Sequence, residues 1–218
     1  MNIKDKMPMS RRGLFIVFEG IDGAGKRTLS KFTKDILESK NLKVAIFEYP
    51  DYNSIWGRII KRYLYNEIEL NIEEEFFLYF IDILKNQTEL GKQLDEGIFI
   101  ISDRYFSSTV AFQCAKGFDY QKAQSIINTM NVILPDLTIF LQIPPVLTLE
   151  RKYKEKERLD RHEKDANLLK KVNSMYDKIL KENMLSNKWI KIDGGKDLES
   201  MKKDVEIIIT KQLDYYHL

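Results

Sequence analysis

The 218 residues carry 35 Lys and Arg against 33 Asp and Glu, so a net charge of +2 gives no reason to expect a polyanionic partner such as nucleic acid. An apolar content of 44% is enough to build the core of one compact domain. One cysteine, Cys114, excludes an internal disulfide and a cysteine-based zinc site, and the absence of an 18-residue apolar run or an apolar signal segment points to the cytoplasm, not to a membrane or secretion.

Residues 1–12 read as a flexible extension and 13–218 as a single domain. Leu14 to Phe18 is a continuous β-prone apolar run that stops at Gly20, the pattern of a strand buried on both faces. From Lys26 to Lys40 the spacing of Leu29, Phe32, Thr33, Ile36 and Leu37 predicts a helix, and Lys43 to Phe47 a second strand; strand, loop, helix, strand in that order implies parallel pairing. Pro50 to Trp56 is a turn-rich crossing. Asn71 to Glu96 predicts one long helix, apolar nearly all round from Phe76 to Leu84 and therefore deeply placed. Ile98 to Ile101 predicts a third strand ending at Asp103, Leu137 to Ile143 a fourth and Trp189 to Ile192 a fifth. No internal repeat or long linker divides the chain.

The segment Gly20-Ile21-Asp22-Gly23-Ala24-Gly25-Lys26-Arg27-Thr28 lies between the first strand and the first helix. Its glycines allow consecutive backbone N–H groups to turn inward on phosphate oxygens, and the following helix presents its positive end to the anion. That context marks a triphosphate-binding loop in which Lys26 bridges the β- and γ-phosphates. Arg27 stands where a Ser or Thr hydroxyl would meet Mg²⁺, and Thr28 comes one place late. Either the metal falls to Asp22, Asp103 and water, or Arg27 itself neutralises phosphate charge. A carboxylate at Asp22 is costly beside phosphates unless it holds a cation or a sugar hydroxyl; the plainer alternative is a turn-forming Asp.

Phe18 to Lys26, together with Asp103-Arg104-Tyr105, Ser108, Ala111 and Gln113, resembles the thymidylate kinase family. Tyr49-Pro50-Asp51-Tyr52, Leu159-Asp160-Arg161-His162-Glu163 and Ile192-Asp193-Gly194-Gly195 extend the resemblance over nearly the whole chain. It implies an α/β, three-layer fold of the phosphate-loop nucleoside monophosphate kinase type, with a five-stranded parallel sheet flanked by helices. It also implies transfer of phosphate from ATP to dTMP with Mg²⁺, and a homodimer. Arg104 is then expected on the acceptor 5′-phosphate, a bidentate task suited to guanidinium. Asp103 falls on the metal side, and Asp22 near both the metal and the acceptor sugar 3′-hydroxyl. An ordinary strand-end ion pair is the plainer reading of Asp103 and Arg104, whose side chains should point opposite ways along a strand.

Helical spacing groups Tyr79, Asp82 and Ile83 on one face. The resemblance puts Tyr79 where an aromatic stacks on the base, and Ile83 where an arginine reads the base carbonyl. Thr109 and Gln113 remain as polar groups able to read the base, while Phe112, where many members have tyrosine, excludes a 2′-hydroxyl by bulk. Tyr79 and Phe112 also fit simple core packing, and Tyr52 is either a phosphate contact or a turn aromatic. The charged run from about 150 to 163 reads as a lid whose Arg151, Lys154, Arg158 and Arg161 share one helical side. Because Gly23 occupies the position of a loop arginine in one branch of the family, the catalytic guanidinium is expected from the lid, Arg158 first and Arg161 second. His162 reads as a surface residue, since an ionised phosphate nucleophile needs no base.

Two rival functions remain at this point. A phosphate-loop kinase for another nucleotide or a nucleoside is the nearer; a nucleoside acceptor would require a carboxylate base in place of Arg104. A nucleotide-dependent regulator without turnover would need no second nucleotide site.

Overall fold

A computed structural model describes residues 13–155 and 159–216, with the side chains of 153–155 left aside. The proposed extension over 1–12 lies outside the described residues. The strands are β1 (Phe15–Glu19), β2 (Val44–Glu48), β3 (Phe99–Asp103), β4 (Leu137–Gln142) and β5 (Trp189–Asp193). They pair in parallel in the order β2-β3-β1-β4-β5, with Phe18 opposite Asp103 on one side and Ile139 on the other. β1, β3 and β4 are the continuous apolar runs and lie inside the sheet; β2 and β5, the edges, are only partly buried.

Between the strands run α1 (Lys26–Ser39), α2 (Ile55–Leu64), α3 (Ile72–Leu84), α4 (Gln87–Asp95), α5 (Phe106–Ala115), α6 (Tyr120–Met130), α7 (Pro145–Glu155), α8 (Ala166–Lys181) and α9 (Leu198–Tyr215). The step from β1 to β2 runs across the sheet in one direction, and the steps from β2 to β3, β3 to β4 and β4 to β5 run in the other. Right-handed crossovers therefore send α1 to one face and α3, α5 and α8 to the opposite one. The observed contacts agree: α1 packs against α9, and α5 against both α3 and α8. The crossover from β1 runs one way and that from its neighbour β3 the other, which puts a crevice between their carboxyl ends, where α/β sheets bind ligands.

The long helix expected over 71–96 is two helices, separated by Lys85 and Asn86. Lys85 Nζ donates to the Asp82 carbonyl at 2.5 Å, which would otherwise accept the Asn86 N–H; that N–H turns to Ile83 O at 3.2 Å. The Lys85 side chain thus bonds this carbonyl at the point where α3 gives way to a turn. Nor is α3 buried all round: Phe77 is exposed, while Phe76, Phe80 and Ile83 face the core.

Candidate active site

The loop after β1 is built for an anion. Gly20 has φ +141°, and a Cβ there would stand 2.6 Å from Leu141 O; Gly23 has φ +81°, and a Cβ would meet Thr148 at 3.2 Å. Side chains at either position would displace the loop, so its close turn requires glycine there. α1 begins with no side-chain cap and no acidic residue in its first turn, leaving its positive end to a ligand. Lys26, 6% exposed, donates to Ile21 O at 3.0 Å and lies 3.9 Å from Asp22 Oδ1. Burial and the Arg104 charge push its ammonium down to about 8. An ammonium held where its charge is costly is ready for phosphate to restore it.

At the end of β3, Arg104 adopts φ +71°. This left-handed turn breaks strand alternation, so Asp103 and Arg104 both line the same cavity instead of pointing apart. Arg104 Nη1 donates to Gly20 O and Ser108 Oγ, each at 3.0 Å, and Nη2 to Asp22 Oδ1 at 2.8 Å. Burial works against the Asp22 carboxylate, but Arg104 and Lys26 outweigh it and hold the carboxyl below its ordinary range. The guanidinium is preorganised by these three bonds and lines the cavity. Asp103 differs: burial raises its carboxyl, and its Oδ1 has no hydrogen-bond partner.

The cavity measures about 590 Å³, within the range that takes a nucleotide-sized ligand. Beyond the phosphate end it is walled by Tyr79, Ile83, Thr109, Phe112 and Gln113, with Tyr52 at the rim. The turn after β2 is fixed onto α3 by Asp82, whose Oδ2 accepts the Asp51 N–H at 2.9 Å. This brings Tyr52 and Tyr79 to one wall. Gln113 is fully buried, yet neither its Oε1 nor its Nε2 has a partner, and the Tyr79 hydroxyl has none either. Buried polar atoms without partners are costly, and those that line a cavity point to a bound ligand that satisfies them.

A model of the thymidylate kinase family matches residues 18–205. Thymidylate kinases of Schizosaccharomyces pombe (28% identical, 94% of this chain and 95% of the relative), Leptospira interrogans (32%, 92% and 96%) and Thermosipho africanus (31%, 92% and 99%) are similar along almost their full length. The chain belongs to the thymidylate kinase family. Of the residues that membership directs attention to, Asp22, Lys26, Arg27, Thr28, Asp103, Arg104 and Ser108 line one cavity with Tyr79, Thr109, Phe112 and Gln113. Arg27 is exposed and lies 3.6 Å from Glu48.

The lid differs from expectation. Leu159 and Asp160 are not helical and Arg161 sits in a turn, so no single helical face runs from 151 to 161. Arg161 holds Glu69 through two bonds of 2.8 and 3.0 Å, covers the Tyr63 ring at 4.0 Å, and does not line the cavity. Arg151 donates to Gly23 O and Gly194 O, behind the loop. Arg158 and the Lys154 side chain lie outside the described residues. Lys152 does line the cavity, 3.5 Å from Glu163; one cation among many in a charged run carried no signal of it.

Sequence reasoning missed two more residues. Glu19 is wholly buried and receives the Tyr105 and Ser108 N–H groups as well as the Ser107, Ser108 and Tyr176 hydroxyls. A charged residue ending a strand that is otherwise apolar on both faces was the available signal. His162, expected at the surface, is 6% exposed against Tyr63, Tyr79 and Phe112.

Burial and neighbouring Lys116 push the His162 imidazole down to about 3 from its ordinary 6.5. The unfolded chain therefore takes up a proton below pH 6.5 that the folded chain refuses, and this part of the stability is lost as pH falls through that window. Between pH 7 and 5 the unfolding free energy of the wild type should drop by about 2 kcal/mol more than that of His162→Phe. Urea titrations at the two pH values measure it, and parallel curves would refute it.

Proposed function

We propose that this protein transfers the γ-phosphoryl group of ATP to dTMP, giving dTDP and ADP. The observation that carries the reading is Arg104, a buried guanidinium held by Asp22, Ser108 and Gly20 O at the junction of the phosphate loop and a wall of unpartnered polar atoms. The triphosphate sits on the Gly20–Thr28 backbone with Lys26 at its β- and γ-phosphates, and the acceptor phosphate on Arg104. An acceptor phosphate oxygen, already ionised, donates a lone pair to the γ-phosphorus while the bond to the β–γ bridging oxygen breaks, and the negative charge passes to ADP. No general base is required, and a nucleoside hydroxyl would be poorly served by Arg104. Catalysis is then positioning and charge neutralisation, with Lys152 the cation of the lid segment that lines the cavity.

Mg²⁺ fits the residues present. No cluster of three ligating side chains occurs among the described residues, but this ion is commonly held by one or two carboxylates and the substrate phosphates. The unpartnered Asp103 Oδ1 supports that carboxylate as a ligand in preference to Asp22, which Arg104 occupies. The ion supplies neutralisation of the β- and γ-phosphate oxygens. Family membership also supports a homodimer, which sedimentation tests, and a cytoplasmic location; no described helix is long and apolar enough to cross a membrane.

With ATP and Mg²⁺, ADP should form fastest when dTMP is the acceptor among dTMP, dUMP, dCMP and dGMP, and EDTA should abolish turnover. Equal rates across the four would overturn the thymine reading and leave a kinase. No ADP with any acceptor would overturn the kinase.

A further inference from the structure

The acceptor pocket poses a recognition problem. The wall position that the family resemblance assigns to a base-reading arginine is Ile83, 3% exposed and unable to hydrogen-bond through its side chain. Stacking on Tyr79 or Phe112 favours every base alike. Gln113 has no partner on either amide atom, so its amide is free to present oxygen or nitrogen and accept either a 4-oxo or a 4-amino pyrimidine. Discrimination requires a polar group whose donor sense is fixed.

His162 meets that requirement. It lines the same cavity, its ring centroid 6.5 Å from Tyr79, 5.6 Å from Phe112 and 6.0 Å from Tyr63. Its Nε2 lies 3.1 Å from Lys116 Nζ, and Lys116 is ion-paired with the buried Glu75 carboxylate. An amine turned toward Nε2 as a donor makes that nitrogen the acceptor. In a neutral imidazole the proton then belongs to Nδ1. Nδ1 makes no hydrogen bond to any described residue, and the imidazole that carries it lines the cavity.

We propose that His162, locked by Lys116 into its Nδ1–H form, reads the 4-oxo oxygen of the acceptor pyrimidine and takes the place of the guanidinium that Ile83 cannot supply. Thymine and uracil present an acceptor at that position; cytosine presents an amino donor, which would face Nδ1–H donor to donor. A site committed to one hydrogen-bond sense rejects the opposite one far more strongly than apolar shape alone can. The Lys116–Glu75 pair is a positioning device here, acting on the base only through the imidazole. The inference rests on the dTMP reading of the pocket.

The test is the ratio of kcat/KM for dTMP to kcat/KM for dCMP. His162→Phe should lower it at least tenfold, mainly by admitting dCMP and weakening dTMP. Lys116→Met combined with Glu75→Gln, which avoids a stranded buried carboxylate, should lower it as well with His162 intact, because the proton is then free to move to Nε2. A ratio within twofold of wild type in both variants, with dTMP turnover persisting, overturns the proposal. Wild-type protein labelled with ¹⁵N-histidine gives a second measure without substitution at the site. The chain has two histidines, and His217→Gln assigns the signals. His162 should show a protonated Nδ1 at pH 7 that shifts when dTMP binds; a protonated Nε2 overturns the proposal. If the wild type shows no preference for dTMP over dCMP, it is the acceptor reading itself that fails.

Discussion

Arg104→Met should lower kcat/KM for dTMP by roughly a thousandfold, a loss of about 4 kcal/mol at 1.4 kcal/mol per decade. Truncating one partner of a buried, hydrogen-bonded charge pair costs about 2–5 kcal/mol, and the acceptor phosphate would lose a two-pronged contact. The change should fall on KM for dTMP as well as on kcat, with KM for ATP nearly unmoved, because the proposed triphosphate site is the loop backbone and Lys26. Arg104→Lys should recover only a small part. Lysine provides a point charge in place of a planar fork, and it would also have to satisfy Gly20 O, Ser108 and Asp22 from one nitrogen. Steady-state kinetics in both substrates measure this; an unchanged KM for dTMP in Arg104→Met would remove the residue from the acceptor phosphate. Far-UV circular dichroism checks that the variants keep their overall helix content.

Arg104 also separates what the sequence discloses from what it does not. The phosphate loop was legible because its physics is local: glycines, a buried strand before and a helix after, all within 25 residues of Leu14. The sheet was legible for a similar reason. Strands buried on both faces have no polar alternation, and β1, β3 and β4 read as mainly apolar runs with polar residues only at Ser102, Thr138 and their last positions. Asp103 and Arg104 were legible as a pair, but not their direction, since strand alternation predicts opposite faces and φ +71° cancels it. The break at Lys85 accompanies a different event, the Lys85 side chain donating to the Asp82 carbonyl. In the lid the failure was one of context. Helical spacing placed Arg151 and Arg161 together, whereas contacts with Gly194 O and Glu69, distant in sequence, draw them apart. His162 was misread because burial at a turn depends on what α2, α3 and α5 bring to it, and a charged segment carries no trace of those neighbours.

Glu19→Ala should destabilise the fold by about 3–5 kcal/mol, the range for removing one member of a buried charged network. Glu19 Oε1 accepts the Tyr105 and Ser108 N–H groups at 2.9 and 3.2 Å and the Ser107 hydroxyl at 2.6 Å; Oε2 accepts the Ser108 and Tyr176 hydroxyls at 2.5 and 2.7 Å. α5 has no side-chain cap of its own, so this carboxylate from β1 caps it across the sheet, with the helix dipole offsetting the cost of a buried charge. Alanine would leave five donors facing a void. At about 2–4 °C per kcal/mol for a domain of this size, the melting temperature should fall by roughly 10 °C. Glu19→Gln should fall between, because both serine hydroxyls and Tyr176 can rotate to accept from the new amide, while the two backbone N–H groups still require the remaining oxygen. The network also holds Ser108, which in turn holds Arg104. The Gln variant, still folded at 25 °C, should therefore show a raised KM for dTMP with kcat changed less, and saturating dTMP should restore part of the lost melting temperature. A thermal shift below about 2 °C in Glu19→Ala would mean that the carboxylate neither caps α5 nor supports the acceptor site.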